Sequence, residues 1–230
     1  HQIAAITSEQ APVLNTEQLV ALNSAQIAVV GSDQLASLGT SQIVALRTTQ
    51  VAALTTRQLS ALNSDQIVNL TTAQVSTLST SQVVAMLPAQ LSAMETADLV
   101  VLRTSVIAAL GTNQVAALST DQVPTLTTQQ VVALTSSQLN ALTSDQVVAL
   151  SSVQAQALTS AQIVGLTSTQ LSAMETTDLA VLSTRALSAI GTVQVAGLGT
   201  DQIVALTTAQ AQGLTSAQLC LLYTSPSPRD

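Results

Sequence analysis

Hydrophobic and polar positions recur every eight residues from Gln2 to Leu219, with no insertion or deletion over about 27 units. One unit reads Leu142, Thr143, Ser144, Asp145, Gln146, Val147, Val148, Ala149. The Leu slot is aliphatic in every unit. The slot two residues on is Ser or Thr everywhere except Pro88, and the slot after Gln is always Ile, Val, Leu or Ala. Gln itself is replaced only by Asp98, Val106, Asp178 and Ala186. A fixed period of this kind marks a repeat architecture. A continuous helix is excluded: at about 100° per residue, eight residues advance the apolar stripe by roughly 80°, so it would wind around the helix and face no single core.

Short helices, one per octad, fit the pattern. With Thr143 as N-cap, that slot holds mostly Thr, Ser, Asn and Gly, the residues preferred there. The next position, N1, tolerates Pro88. N2 carries Glu9, Glu17, Asp33, Asp65, Asp121, Asp145 or Asp201, acids favoured at the positive end of a helix. N3 is the Gln, which completes a Ser/Thr-x-x-Gln capping box, and the aliphatic residues before the cap and after the Gln are the N′ and N4 partners of a hydrophobic staple. The reading is an all-α solenoid of stacked helices of six or seven residues, since helices this short persist only by packing on neighbours. Two observations oppose it. Pro12 and Pro124 fall at N5, where a missing N–H costs about 3 kcal/mol, and Thr and Val are strand formers. A β-solenoid with Thr and Gln ladders is the alternative.

A longer period overlies the octad. Gln90-Leu-Ser-Ala-Met-Glu-Thr-Ala-Asp98 returns as Gln170-Leu-Ser-Ala-Met-Glu-Thr-Thr-Asp178, and Gly31, Gly111 and Gly191 are spaced by the same 80 residues. A block of ten octads is therefore read as duplicated. The domain reading is an octad solenoid over 1–219, cut at both ends from a longer array, followed by 220–230. That tail, Cys220 to Asp230, resembles the in-frame translation of a sequencing-library adapter and is expected to be disordered. The first octads, with Ile3 and Ile6, and the last, with Leu214 and Leu219, keep the interior pattern instead of a polar terminal face. End-to-end self-association is therefore expected, beside the contacts between adjacent repeats.

Composition narrows the function. Apolar residues make up 47% of the 230, with no Phe, no Trp, no Lys and a net charge of −7. Five scattered Arg cannot form the basic patch that nucleic acid requires. No apolar run approaches the roughly 20 residues of a membrane span. The one His is His1 and the one Cys is Cys220, so neither a Cys/His metal cluster nor a Cys- or His-based triad can be drawn. No catalytic, cofactor-binding or metal residue is assigned, and no cofactor. Glu95 with Asp98 and Glu175 with Asp178 are the most marked acidic pairs. A variant capping box is the reading preferred there over a metal or partner contact. For the repeated Gln, capping or bonding between neighbouring units is preferred over ligand binding.

The octad Leu142–Ala149 resembles the opening helix of the DNA-reading repeats of TAL effectors, though the second helix, base-reading residues and basic charge of that family are missing. The array from Gln2 to Leu219 also resembles Leu-Thr-x-x-Gln tracts in very large bacterial proteins of the haem-utilisation, adhesin-like or haemolysin-like kind. That resemblance implies a non-catalytic spacer or scaffold segment of a secreted or cell-surface protein; a module binding a glycan, ice or a protein filament is the alternative. Circular dichroism is the first check: a helix-dominated spectrum is expected, and a strand-dominated one would select the β-solenoid.

Overall fold

The computed structural model describes residues 7–224. Expectations for His1, Ile3, Ile6 and residues 225–230 lie outside the described residues. Within them the chain is all-helical: 25 short α-helices run from Thr16–Ala21 to Ser216–Thr224, and no strand occurs among them. The β-solenoid alternative is thereby set aside.

Each octad starts its helix where the sequence places it. In the reference unit Thr143 is the N-cap, extended at φ −70 and ψ 163, and the helix is Ser144–Val148. About half of the helices have the six residues expected, as Ser152–Ala157 does, and most of the others have five, with Thr72–Val75 only four residues long. Where the helix has six residues, two extended residues fill the rest of the octad; where it has five, the residue that follows is still at or near αR, as Ala149 is. Leu158, for example, leaves its helix at ψ 133, and Thr159 opens the next at ψ 158. The N–H of the Leu-slot residue closes each helix on the carbonyl three residues back, as from Leu142 to Leu139 at 3.1 Å. The last helix, Ser216–Thr224, continues past residue 219.

The two prolines at N5 are absorbed by a local change of helix type. Ala11–Val13 and Val123–Thr125 are 3₁₀ turns, whose tighter bonding does not need the N–H that proline lacks. The rest of the octad is undisturbed: Ala11 and Val123 are buried as N4 residues such as Ile67 and Val147 are, and Gln122 still accepts the Ser119 N–H at 2.8 Å.

The chain divides into two compact units, His1–Leu118 and Ser119–Asp230. Within each, a helix packs on the one three octads further along: Thr16–Ala21 on Thr40–Ala45 in the first, Ser136–Asn140 on Ser160–Gly165 and that on Thr184–Ala189 in the second. Polar contacts reach about one octad further, with sequence separations of 28 and 31. Between three and four octads therefore make one turn of each solenoid. The layers approach closely at Gly165, where a Cβ would stand 2.7 Å from the Cβ of Ser136.

The core of each unit is two aliphatic rows. N4 side chains such as Ile67, Leu139 and Val147 are at most 1% exposed, and Leu-slot side chains such as Leu142 are 6% exposed. N2 residues, Asp145 among them, face solvent. Complete burial of one such side chain stabilises by about 1.5–3 kcal/mol, which is how helices this short persist. The substitution Leu139→Ala is expected to lower unfolding stability by about 2–5 kcal/mol. Val148→Thr, at an exposed N5 position, should change it by no more than about 0.5 kcal/mol. Denaturant midpoints of the two variants check the difference.

Candidate functional site

Among the described residues, the glutamine slot is the polar position that recurs buried from octad to octad. Gln42, Gln50, Gln58, Gln66, Gln74 and Gln82 in the first unit are all 5% exposed or less. A helix leaves N–H groups unpaired at its start and carbonyls unpaired at its end. One glutamine amide serves both kinds. Gln74 shows the arrangement: its Oε1 accepts the N–H of Thr71, its own N-cap, at 2.7 Å. Its Nε2 donates to the carbonyls of Ile43 at 3.0 Å and Leu46 at 2.7 Å, at the end of a helix four octads earlier. The Thr71 hydroxyl accepts the Gln74 backbone N–H at 3.3 Å, closing the capping box. In the second unit Gln170 repeats this, accepting from Thr167 at 2.9 Å and donating to Leu139 at 3.1 Å and Leu142 at 2.7 Å.

The box does not need a side chain at the N-cap. At Gly39, Arg47, Leu87 and Gly111 no side chain caps the helix, yet Gln still accepts the N-cap N–H at 2.7–2.9 Å. The invariant part of the motif is thus the Gln half. Glutamine is suited to it because only a primary amide carries an acceptor and a two-proton donor at one end of a neutral chain.

The four exceptions test this. Val106 replaces the amide with a methyl pair, and here Arg103 donates from Nη2 to the carbonyl of Leu78 at 3.0 Å. That carbonyl lies 28 residues before position 106, the separation at which Gln normally donates. Asp178 is 3% exposed, and its Oδ1 accepts the Ser152 hydroxyl at 2.6 Å. At Ala186 the Ser183 hydroxyl caps the backbone N–H at 3.1 Å. Asp98 is 1% exposed, and neither carboxyl oxygen has a hydrogen-bond partner. Burial pushes its carboxyl above the ordinary 3.8; the nearby Thr72 hydroxyl opposes the rise and the Glu95 charge adds to it.

The acidic pairs therefore differ from the capping box expected of them. Glu95 and Glu175 are exposed N-cap residues that make no side-chain cap, and neither helix contains a box. Aspartate is one methylene shorter than glutamine, so its carboxyl stops short of the N-cap N–H. Asp98 and Asp178 point inward while their glutamates face solvent. Among the described residues no group of three or more His, Cys, Asp or Glu comes together, and no helix is long and apolar enough to cross a membrane. The interlayer role of Nε2 was foreseeable only as one of two choices, capping or bonding between units; the amide does both.

An all-α solenoid of octads, most of them bound by a glutamine at N3, is the class that this geometry defines. The ALTTAQ repeat model matches residues 12–48, 35–72, 91–128, 124–152 and 171–208, more than half of the chain, and the chain belongs to the ALTTAQ repeat family. The hexapeptide itself stands at Ala205-Leu-Thr-Thr-Ala-Gln210, which spans a helix end, the Leu slot, the N-cap and the first turn up to the clamping amide. No curated protein matches the chain.

Substitution at a representative slot checks the clamp. Gln74→Ala removes one accepted and at least two donated bonds, and is expected to cost on the order of 3 kcal/mol. Gln74→Glu keeps the size but sets a carboxylate against two carbonyls, so at neutral pH it should cost more than Gln74→Ala, and acidification should relieve it. Urea titrations of both variants at two pH values measure these effects.

Proposed function

We propose that the chain is a non-catalytic structural segment, a spacer or scaffold in a larger bacterial protein that is secreted or displayed at the cell surface. The observation that carries this reading is the state of the glutamines. The side chain that the repeat retains most strictly is buried and hydrogen-bonded inside the fold, as at Gln74 and Gln170. The repeated chemistry thus serves layer-to-layer cohesion. Thin, dispersed negative charge and the absence of Lys also suit a surface meant to stay soluble and unengaged. End-to-end contact between solenoids of the same chain belongs to this reading, because every layer offers the next the same carbonyls and the same aliphatic rows.

A second reading, a surface that binds a repetitive ligand such as a glycan, ice or a protein filament, is favoured by one feature. Val44, Val68, Val84 and Val100 recur at N5 in the first unit, 37–44% exposed, beside the Ser and Thr of the helix starts. Under the spacer reading, an in-phase deletion of one 80-residue block from the parent protein shortens its reach and leaves the activity of its other domains intact. Antibody against the array should label intact cells. Labelling only after lysis contradicts the surface assignment, and strong glycan-array binding or thermal hysteresis by the array would replace the spacer with the binding module.

A further inference from the structure

Asp98 stands in a slot built for an amide donor. Elsewhere in its unit the slot presents two carbonyls, at separations of 31 and 28 residues, to a glutamine Nε2 at 2.6–3.1 Å. For position 98 those carbonyls are Ile67 and Leu70, at the end of the helix Ser64–Val68. Asp98 puts two fully buried oxygens in this slot with no donor in full hydrogen-bond geometry, the Thr72 hydroxyl being the one group close enough to favour the carboxylate. An ionised carboxylate offers only acceptors, so in a slot whose other members donate to carbonyls it would leave a negative charge buried without a donor, which proteins normally avoid by neutralising the group. At the other acidic exception the hydroxyl in the equivalent place, Ser152, donates to Asp178 at 2.6 Å, whereas Thr72 makes no such bond in hydrogen-bond geometry to Asp98.

We propose that Asp98 is held as the neutral acid in the folded layer, its O–H turned toward the carbonyls of the Ile67–Leu70 turn in place of the glutamine amide, so that this joint tightens in acid and loosens as the proton is lost. This goes beyond the spacer reading, since it concerns the cohesion of one layer whatever the array is for. The groups around Asp98 are few. Its own helix Thr96–Val101 carries Glu95 at the N-cap, exposed and acidic. The helix packed on it, Thr72–Val75, has no titratable group and contributes the Thr72 hydroxyl. The helix that supplies the carbonyls carries Asp65, exposed at its N2 position. In the following octad Arg103 directs its Nη2 to Leu78. Glu95 and Asp65 are both acidic, and the burial that raises the Asp98 carboxyl above 3.8 acts in the same sense as Glu95.

The sign follows from that direction. A folded-state value above the unfolded one gives stability that is complete below the unfolded value and is lost as pH rises through the folded value. Across the interval between them the folding equilibrium constant falls about tenfold per pH unit. The test uses the full chain, with urea midpoints from pH 4 to pH 9 for wild type, Asp98→Asn and Asp98→Gln, and a ¹³C NMR titration of the Asp98 carboxyl in the wild type. The expected result is that Asp98 titrates above the exposed aspartates and that wild type loses stability relative to both variants over the same interval. A carboxyl that titrates with the exposed aspartates, or three midpoints that move in parallel, overturns the proposal. So does a wild type restored at pH 8 by added calcium or sodium chloride when the variants are not, since the slot would then take a cation rather than a proton.

Discussion

A glutamine amide that caps two helices at once is the interaction on which the rest of this structure depends. Helices of four to six residues have almost as many unpaired backbone groups as paired ones, because each end leaves several without partners. An octad gives no room for separate caps at both ends. The structure solves this with one side chain, whose oxygen takes the N–H at the start of its own helix and whose nitrogen takes the carbonyls that end a helix in the preceding turn. Local capping and long-range stacking are thereby the same event. A helix that has lost its layer has also lost its capping donor, so a single octad has little reason to be stable by itself. In a nearest-neighbour description of a repeat array, stability then resides mainly in the interfaces.

The aliphatic rows fit around this constraint. The N4 residue sits one position after the glutamine and the Leu slot one position before the N-cap, so whatever orients the amide orients both core residues as well. Without Phe or Trp, the core has side chains of similar size at each level, and the layers repeat with little adjustment. Where adjustment is needed it is local: a 3₁₀ turn at Pro12 and Pro124, or a glycine at 165 where the layers crowd.

Much of this is legible in the sequence because it is local. Cap, acidic N2, glutamine N3 and apolar N4 occupy consecutive residues, and the octad states them some two dozen times, so the register at Thr143 and Gln146 could be read without a structure. What could not be read depends on the distance between layers. The number of octads per turn comes from which helix lies beneath which. The second role of the amide, at residues 28 and 31 positions away, has no local signature. The acidic pair Glu95 and Asp98 misleads for a related reason: its spacing matches a capping box, but the reach of an aspartate falls short by one methylene, and only the burial of Asp98 shows that it occupies the glutamine's place. Arg103 is a further instance. In the sequence it is an unusual N-cap; in the fold its guanidinium reaches the Leu78 carbonyl that Val106 cannot serve.

The most direct measurement of the central claim is hydrogen exchange of the glutamine side-chain amides, followed by NMR on the assigned chain. If each amide bridges two helices, the Nε2 protons of Gln50, Gln66 and Gln74 in the first unit, and of Gln162, Gln170 and Gln210 in the second, exchange as slowly as the buried backbone N–H groups of their own helices. They should also slow and quicken together with those groups as denaturant is added. Side-chain amides that exchange at the rate of free glutamine while the neighbouring backbone stays protected would show that the layers cohere without them, and the account would fail.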